Sequence, residues 1–335
     1  MTDTTRDIQL DIYRALTMVY IVCVIHVVYW FGVFDEPVRS ILLFEMPVIF
    51  FISGASYGVK HRIREVRSIV KNRVKRVLLP FYIFLSVLFL LLSIGYCDTD
   101  IRDLSPYDIV KILMTGGSEK IPYYGYTWFI SVYLFVTCSL PVQEKLISKC
   151  KPFPYIMTCL FPCLVLHFVT LPFANWFIKE LFTYNFFFIL GYLYYKRVGY
   201  TNITILAIVF AVLTLYGFIH GEMPPMQDNK FPPNLYFLLF SFAALCMLSL
   251  TIGRIRIRYN KILRLWNERG YNIYLYQCLS HYTVYLLTHE WISQLGSGMA
   301  FIILFVATFT VATIISLVSY PFEKLVTKML LNIRK

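Results

Sequence analysis

The chain has 335 residues, of which 58% are apolar and 15% charged, and its net charge is +12. Because a soluble domain has about 45–50% apolar and about 25% charged residues, this composition excludes an ordinary water-soluble fold. The aromatic content of 18% also excludes an intrinsically disordered chain. The composition therefore points to an integral membrane protein. In such a protein a positive net charge does not indicate nucleic acid, and we expect no nucleic-acid partner.

Apolar runs recur along the whole chain, each close to the roughly 20 residues that a membrane-spanning helix needs. They lie near residues 10–34, 41–59, 77–97, 127–142, 153–170, 180–195, 203–219, 234–252, 270–288 and 299–319. We therefore predict an all-α polytopic membrane protein of about ten transmembrane helices, with a single membrane domain over residues 1–335. The first run contains Arg14 and no small-residue cleavage site follows it, so we expect a retained span rather than a signal peptide.

The basic residues favour one orientation in the membrane. With a cytoplasmic N-terminus, all but six of the 31 Lys and Arg residues fall on the cytoplasmic side. The six outer residues are Arg39, Arg102, Lys111, Lys120, Lys179 and Lys230. The positive-inside rule therefore predicts that both termini are cytoplasmic. In the longest outer connection, residues 98–126, we predict a short surface helix.

Four ionisable residues stand out inside the predicted spans: Arg14, His26, Glu45 and His281. Such a group costs about 2.5–3.5 kcal/mol on insertion scales, so each needs a partner, a water-filled cavity or a function. His26, Glu45 and His281 have similar predicted depths, from which they could face one cavity. The structural alternatives are a neutral imidazole bonded to a backbone carbonyl for His26, and hydration near the membrane surface for Glu45.

The ninth predicted span carries a polar stripe. Its members, at spacings of three or four residues along one helical face, are Tyr274, Gln277, His281 and Tyr285. This face should point into the helix bundle, where Gln277 and His281 can hydrogen-bond to each other or to a polar ligand. The structural alternative is hydrogen bonding that only assembles the bundle.

A run of basic residues precedes the third predicted span. Residues 60–76 contain eight Lys and Arg against one acidic residue, Glu65, which is typical of a topology signal or of contact with anionic lipid. Arg73 and Arg76 lie three residues apart just before Pro80, so they share a helical face and could together hold a phosphate group. Both interpretations remain open for this pair.

Five segments of the chain carry a family resemblance when taken in order. They are LDIYRALTMVYIVCVIHVVYW, FEMPVIFFISG, RVKRVLLPFY, TWFISVYLF and YNIYLYQCLSH. Together they resemble the acyltransferase-3 family of membrane-bound acyltransferases. The first is similar to the family's opening span with Arg14 and His26, and the second to its next span with Ser53. The others are similar to its Arg-x-x-Arg segment, its Trp-Phe span with Trp128, and its late Tyr-rich span.

The resemblance implies a transferase that moves an acyl group, most often acetyl from acetyl-CoA, onto a carbohydrate or another small acceptor. We expect the stand-alone form without a fused soluble domain, in the plasma or inner membrane, with acyl-CoA as donor substrate, membrane lipid as partner and no metal. By resemblance His26 is the essential histidine and Arg14 its partner on the same helix. Arg73 and Arg76 would hold the phosphates of CoA. The residues expected to line the acceptor site or cavity are Ser53, Trp128, Tyr274, Gln277 and His281.

The reaction predicted for this site is direct attack of an acceptor hydroxyl on the thioester. A hydroxyl is a poor nucleophile until a base takes its proton, and an imidazole that titrates near neutrality suits that role. We therefore predict that His26 is the general base and that Glu45 orients the imidazole or tunes its basicity. A two-step route through an acyl-enzyme on His26 or Ser53 is the alternative.

The sequence departs from the family pattern at two positions. The Arg and His of the first span are usually separated by ten residues, whereas the eleven residues 15–25 separate Arg14 from His26. At about 100° per residue the extra residue takes the pair off a common helical face, and a π-bulge in this span would restore it. The second departure is Gln277, where relatives often carry a histidine; His281, one turn later, can substitute for it.

Three other classes of protein would also carry polar residues in their spans. The main alternative is a secondary transporter or exporter of a polar solute, but we find no internal repeats and no spans interrupted at matching positions. A purely structural membrane protein would leave Arg14, His26 and Glu45 unexplained. A metalloenzyme is disfavoured because the six histidines are scattered and the cysteines lie mostly within apolar runs.

Overall fold

The computed structural model describes residues 7–59, 65–96, 101–114, 116–118, 120–195, 225–251 and 257–332, together with residues 208 and 212. Its regular elements in these ranges are all helices, without a strand. Each predicted apolar run except the seventh and the ninth coincides with one of the helices. The seventh, residues 203–219, lies outside the described residues apart from residues 208 and 212.

The helices of the described residues are numbered here in chain order. They are α1 (Ile8–Trp30), α2 (Val38–Gly58), α3 (Val66–Ser93), α4 (Pro106–Leu113), α5 (Phe129–Ile147), α6 (Pro152–Phe168), α7 (Asn175–Tyr194), α8 (Met226–Lys230), α9 (Leu235–Thr251), α10 (Lys261–Leu275), α11 (Gln277–Thr288) and α12 (Ser297–Asn332). Within the described ranges, five are long and apolar enough to cross a membrane: α1, α2, α3, α5 and α12. The chain is thus a multi-pass helical membrane protein, and the count of ten spans and the cytoplasmic termini stay predictions.

The chain divides into two compact units, each made of separate segments. The first unit contains Met1–Thr17, Phe34–Ile63 and Ser139–Arg264. The second contains Met18–Val33, Arg64–Cys138 and Leu265–Lys335. Each unit is described below by itself.

In the first unit, α2 and α7 pack with their backbones in direct contact. A Cβ atom on Gly54 would lie 1.8 Å from the carbonyl oxygen of Phe188, and one on Gly191 would lie 2.0 Å from the carbonyl oxygen of Phe51. Gly58, four residues after Gly54, meets the same face of α7. Glycines at this spacing let two membrane helices approach more closely than side chains allow.

Replacing Gly54 with alanine is expected to destabilise the protein by about 1–3 kcal/mol, because the added Cβ overpacks a contact between two backbones. Thermal unfolding of the detergent-purified protein measures this effect. Gly298→Ala is the matched control, since a Cβ there has no heavy atom within 4 Å and alanine favours a helix. Equal unfolding temperatures for the two variants would contradict the close contact of α2 with α7.

The predicted π turn of α1 is present, over Tyr20–Ile25. The amide of His26 donates to the carbonyl of Ile21, five residues earlier, instead of to the carbonyl of Val22, four residues earlier. The longer turn absorbs the additional residue that the spacing between Arg14 and His26 revealed. It also frees the carbonyl of Val22 from the helix, so that this oxygen needs another donor.

A second π turn, Val74–Leu78, lies in α3 and is closed by the amide of Leu79 donating to the carbonyl of Val74. Pro80 follows directly. Proline has no N–H and its ring clashes with the carbonyl four residues earlier, here that of Arg76. A widened turn before the proline accommodates both the missing amide donor and the steric clash.

In the second unit, α12 packs against α11, against α3 and against residues 20–30 of α1. Val27, Val284 and Leu304 form a buried cluster where α1, α11 and α12 meet.

The predicted ninth span, residues 270–288, is not one continuous helix. It is divided into α10 and α11 at Tyr276, and the carbonyl of Leu275 accepts a hydrogen bond from the Tyr126 hydroxyl at 2.5 Å.

The short surface helix predicted within residues 98–126 is confirmed as α4. Ser105 caps its N-terminus, because the Ser105 hydroxyl accepts from the amide of Asp108 and the Asp108 carboxylate accepts from the amide of Ser105. Lys120 also donates to this carboxylate, at 2.8 Å. The hydrogen bonds from Lys120 and Ser105 lower the pKa of Asp108 to about 2.

Candidate active site

The centre of the candidate site is a hydrogen bond between α1 and α11 of the second unit. The Nδ1 atom of His26 lies 2.6 Å from Oε1 of Gln277. Because an amide oxygen only accepts, Nδ1 must carry the proton, which leaves the lone pair of the neutral ring on Nε2. His26 is half-buried and Gln277 is fully buried. This arrangement presents an imidazole as an oriented base.

Aromatic side chains surround the His26 ring. Trp30, one turn later on α1, stacks on it with the ring centres 4.2 Å apart and the planes 7° apart. The rings of Tyr126 and Tyr274 lie 6.1 and 6.5 Å from it. The Tyr274 hydroxyl donates to the carbonyl of Tyr126 at 2.7 Å, so the two tyrosines are fixed to each other and to the turn before α11.

His281 is fully buried and supports the π turn of α1. Its Nε2 atom lies 3.1 Å from the carbonyl oxygen of Val22, the oxygen that the π turn frees. Its Nδ1 atom lies 2.8 Å from the carbonyl oxygen of Gln277, one turn earlier on α11. The predicted polar stripe therefore contacts α1 at two points, through the side chain of Gln277 and through His281.

Sequence reasoning missed Tyr123, which lies beside this group of rings. Its φ of 60° is in the left-handed region, where an aromatic residue is strained. Its ring lies 5.5 Å from that of Trp30, 5.8 Å from that of Phe31 and 6.4 Å from that of Tyr285. Strained residues cluster at functional sites, and the run of tyrosines in residues 123–126 was a signal that hydropathy does not detect.

Arg14 belongs to the first unit, where it links α1 to α2. Its Nη1 atom lies 3.2 Å from Oδ1 of Asp11, and its Nη2 donates to the Ser56 hydroxyl at 2.7 Å. Asp11, three residues before Arg14 on the same helix, was detectable from spacing alone. Ser53, the serine expected near the site, is half-buried on α2, three residues before Ser56.

Glu45 also belongs to the first unit, where it forms a buried ion pair with Lys230 of α8. Side chains of the pair are only 3% and 6% exposed. Glu45 opens the segment Glu45–Gly58 of α2, where the helix dipole favours a carboxylate. Pro47 then falls in the first turn, which needs no amide donor. Sequence reasoning missed this pair and placed Lys230 among the charges of an outer loop.

The two arginines expected to hold CoA are both on α3, in the second unit, and differ in environment. Arg73 is half-buried. Its Nη1 donates to the Tyr133 hydroxyl at 3.0 Å, and the guanidinium lies 5.4 Å from the centre of the Tyr133 ring. Arg76 is exposed, as is Lys75. Trp128 is half-buried just before α5, the helix that carries Tyr133. Guanidinium groups can bind phosphate through paired hydrogen bonds, and the binding of CoA by Arg73 and Arg76 stays a prediction.

Neither unit gathers a group of metal ligands in the part of the chain that the structure describes. Among those residues, no three His, Cys, Asp or Glu side chains come together as a metal site would require. The chemical groups that the second unit brings together are instead an oriented imidazole, a glutamine amide and aromatic rings.

Comparison with protein-family models gives a match over most of the chain. The model of the acyltransferase-3 family, described as an acyltransferase domain, matches residues 7–317. This range contains His26, Gln277 and His281 as well as Arg14 and Glu45. No curated protein and no solved structure matched the chain.

Proposed function

Because the chain belongs to the acyltransferase-3 family, and is therefore an acyltransferase, we propose that it transfers an acetyl group from cytoplasmic acetyl-CoA to a hydroxyl of a carbohydrate. The reaction takes place at the cell membrane with His26 as general base. The single observation that carries this proposal is the 2.6 Å contact between His26 Nδ1 and Gln277 Oε1, because it leaves Nε2 as the basic nitrogen.

The chemistry follows from that tautomer. Nε2 of His26 removes the proton from the acceptor hydroxyl as its oxygen attacks the thioester carbonyl, so that a new C–O bond forms. The tetrahedral intermediate then breaks its C–S bond, and the departing CoA sulfur takes the proton from His26. The imidazole returns to its starting state, and no acyl-enzyme forms.

On the donor side, Arg73 and Arg76 are proposed to bind the phosphates of CoA. Tyr133 holds the Arg73 guanidinium by a hydrogen bond and a cation–π contact, which reduces the entropy lost on binding. Arg76 is exposed and can reach an approaching anion. Guanidinium groups bind phosphate through paired, charge-assisted hydrogen bonds.

On the acceptor side, the rings beside His26 are proposed to bind the sugar. Trp30 and Tyr123 are half-buried and lie next to each other at the imidazole. Such rings combine a large apolar surface with little conformational entropy to lose, which suits the apolar C–H face of a sugar. Tyr274 and Trp128 are proposed to line the same site.

The test is to delete the gene, measure ester-linked acetate on surface glycans by mass spectrometry, and complement with variants. We expect deletion to remove this acetate and the wild-type gene to restore it. His26→Ala should lower the initial rate of transfer at least about 100-fold, whereas Arg73→Ala should mainly raise the KM for acetyl-CoA. His289→Ala, at an exposed histidine near the end of α11, is the matched control.

Two results would contradict the proposal. Equal rescue by His26→Ala and wild type would remove His26 from the mechanism. Loss of uptake of a labelled solute in the deletion strain, with glycan acetylation unchanged, would indicate a transporter instead.

A further inference from the structure

The amide group of Gln277 is satisfied at one end only. Its Oε1 atom is occupied by His26, but its Nε2 atom has no hydrogen-bond partner among the residues that the structure describes. The side chain is 0% exposed. A buried polar group without a partner costs several kcal/mol within a membrane, so this amino group calls for a functional explanation.

The position of this donor identifies what it can bind. Oε1 and Nε2 share one planar amide, so the hydrogen bond to His26 holds the amino group within a few ångströms of the imidazole. The neighbouring hydroxyls are already committed to backbone carbonyls, that of Tyr126 to Leu275 and that of Tyr274 to Tyr126. Gln277 Nε2 is thus a hydrogen-bond donor beside the base, and an oxygen of a bound substrate would accept its hydrogen bond.

We propose that Nε2 of Gln277 donates a hydrogen bond to the carbonyl oxygen of the acyl group and stabilises the oxyanion that forms there. This inference rests on the proposed function. As the hydroxyl oxygen attacks and His26 takes its proton, the π electron pair of the carbonyl moves onto the oxygen that Nε2 contacts. When the pair returns, the C–S bond breaks and the CoA sulfur takes the proton from His26. Gln277 therefore orients His26 through Oε1 and stabilises the oxyanion through Nε2.

Two variants of Gln277 separate these roles. Gln277→Glu keeps an acceptor for His26 Nδ1–H but has no amino group, and Gln277→Met is similar in size but makes neither hydrogen bond. The assay uses washed membranes that contain the acceptor, with radiolabelled acetyl-CoA as the probe. Loss of one oxyanion donor lowers kcat by about 10²–10³-fold. We expect that loss in both variants, with the KM for acetyl-CoA changed less than about threefold because the interaction forms in the transition state.

A glutamate variant that keeps wild-type kcat while the methionine variant loses it would show that Gln277 only orients His26, and would overturn the inference. Gln143→Met is the control for loss of a buried glutamine, since Gln143 is 8% exposed and bonds Asn185 in the first unit. It should leave kcat unchanged.

A double variant tests the inference without a buried glutamate. If Gln277 acts only through His26, adding Gln277→Met to His26→Ala costs nothing further. If Gln277 also stabilises the oxyanion, the double variant transfers acetyl at least about tenfold more slowly than His26→Ala. The reason is that an oxyanion donor still contributes to the rate when the base is absent. Label incorporation equal in wild type and His26→Ala would overturn the proposed function itself. Incorporation that needs His26 but not Gln277 overturns this inference alone.

Discussion

Replacing Lys230 with methionine is expected to lower the free energy of unfolding by about 3–5 kcal/mol, the usual effect of breaking a buried ion pair. The reason is the state of Glu45 in the variant. Its carboxylate is almost fully buried, and its second oxygen already has no hydrogen-bond partner among the described residues. Without the ammonium group of Lys230 this charge would be buried and uncompensated. Unfolding of the purified protein by heat or by SDS measures the loss.

The double variant Glu45→Met with Lys230→Met should recover stability to within about 1 kcal/mol of wild type, because apolar residues can replace a buried ion pair without net cost. Lys261→Met, at an exposed lysine of the first unit, is the matched control and should unfold like wild type. If Lys230→Met proves as stable as the control, the pair does not hold α8 to α2.

The double variant also tests the role predicted for Glu45 in orienting the imidazole. Recovered stability with full transfer activity would assign Glu45 to packing of the first unit. Recovered stability with lost activity would support its predicted role in catalysis. Stability and activity are thereby measured on the same protein, and a folding defect cannot be mistaken for a catalytic one.

What the sequence predicted correctly came from local patterns. Hydropathy located α1, α2, α3, α5 and α12, since these runs of apolar residues continue for the thickness of a membrane. The π turn of α1 followed from counting residues between Arg14 and His26, because one extra residue must be absorbed somewhere in the turn. The resemblance of five segments identified the family, which the match over residues 7–317 confirms.

What the sequence did not predict depends on residues that are distant along the chain. Glu45 and Lys230 are 185 residues apart, and His26 and Gln277 are 251 residues apart. Counting charges placed Lys230 in an outer loop but gave it no partner, because the positive-inside rule considers only the side of the membrane on which a charge lies. The break at Tyr276 was also hidden, since hydropathy contains no information about the Tyr126 hydroxyl that bonds the carbonyl before the break.

Replacing His281 with leucine is expected to destabilise the protein by about 2–4 kcal/mol, because it leaves a backbone carbonyl unsatisfied within the membrane. The carbonyl is that of Val22, which the π turn of α1 frees and to which His281 donates across 3.1 Å in the tautomer that carries its proton on Nε2. His26 follows the same turn and its amide closes it. A shift of the turn would move the imidazole, and a misplacement of about 1 Å can cost about 100-fold in rate. We therefore expect transfer to fall at temperatures at which the variant is still folded.

His289→Leu is the control that isolates the contact with Val22. His289 makes the same local contact as His281, from Nδ1 to the carbonyl oxygen four residues earlier, at 3.0 Å against 2.8 Å. It is exposed, so its replacement removes the local contact and leaves no buried carbonyl without a donor. If both variants unfold alike and transfer acetyl alike, His281 does not support the π turn. If only His281→Leu loses stability and activity, the extra residue of α1 and His281 depend on each other. His281 then replaces the helical hydrogen bond that the insertion removes.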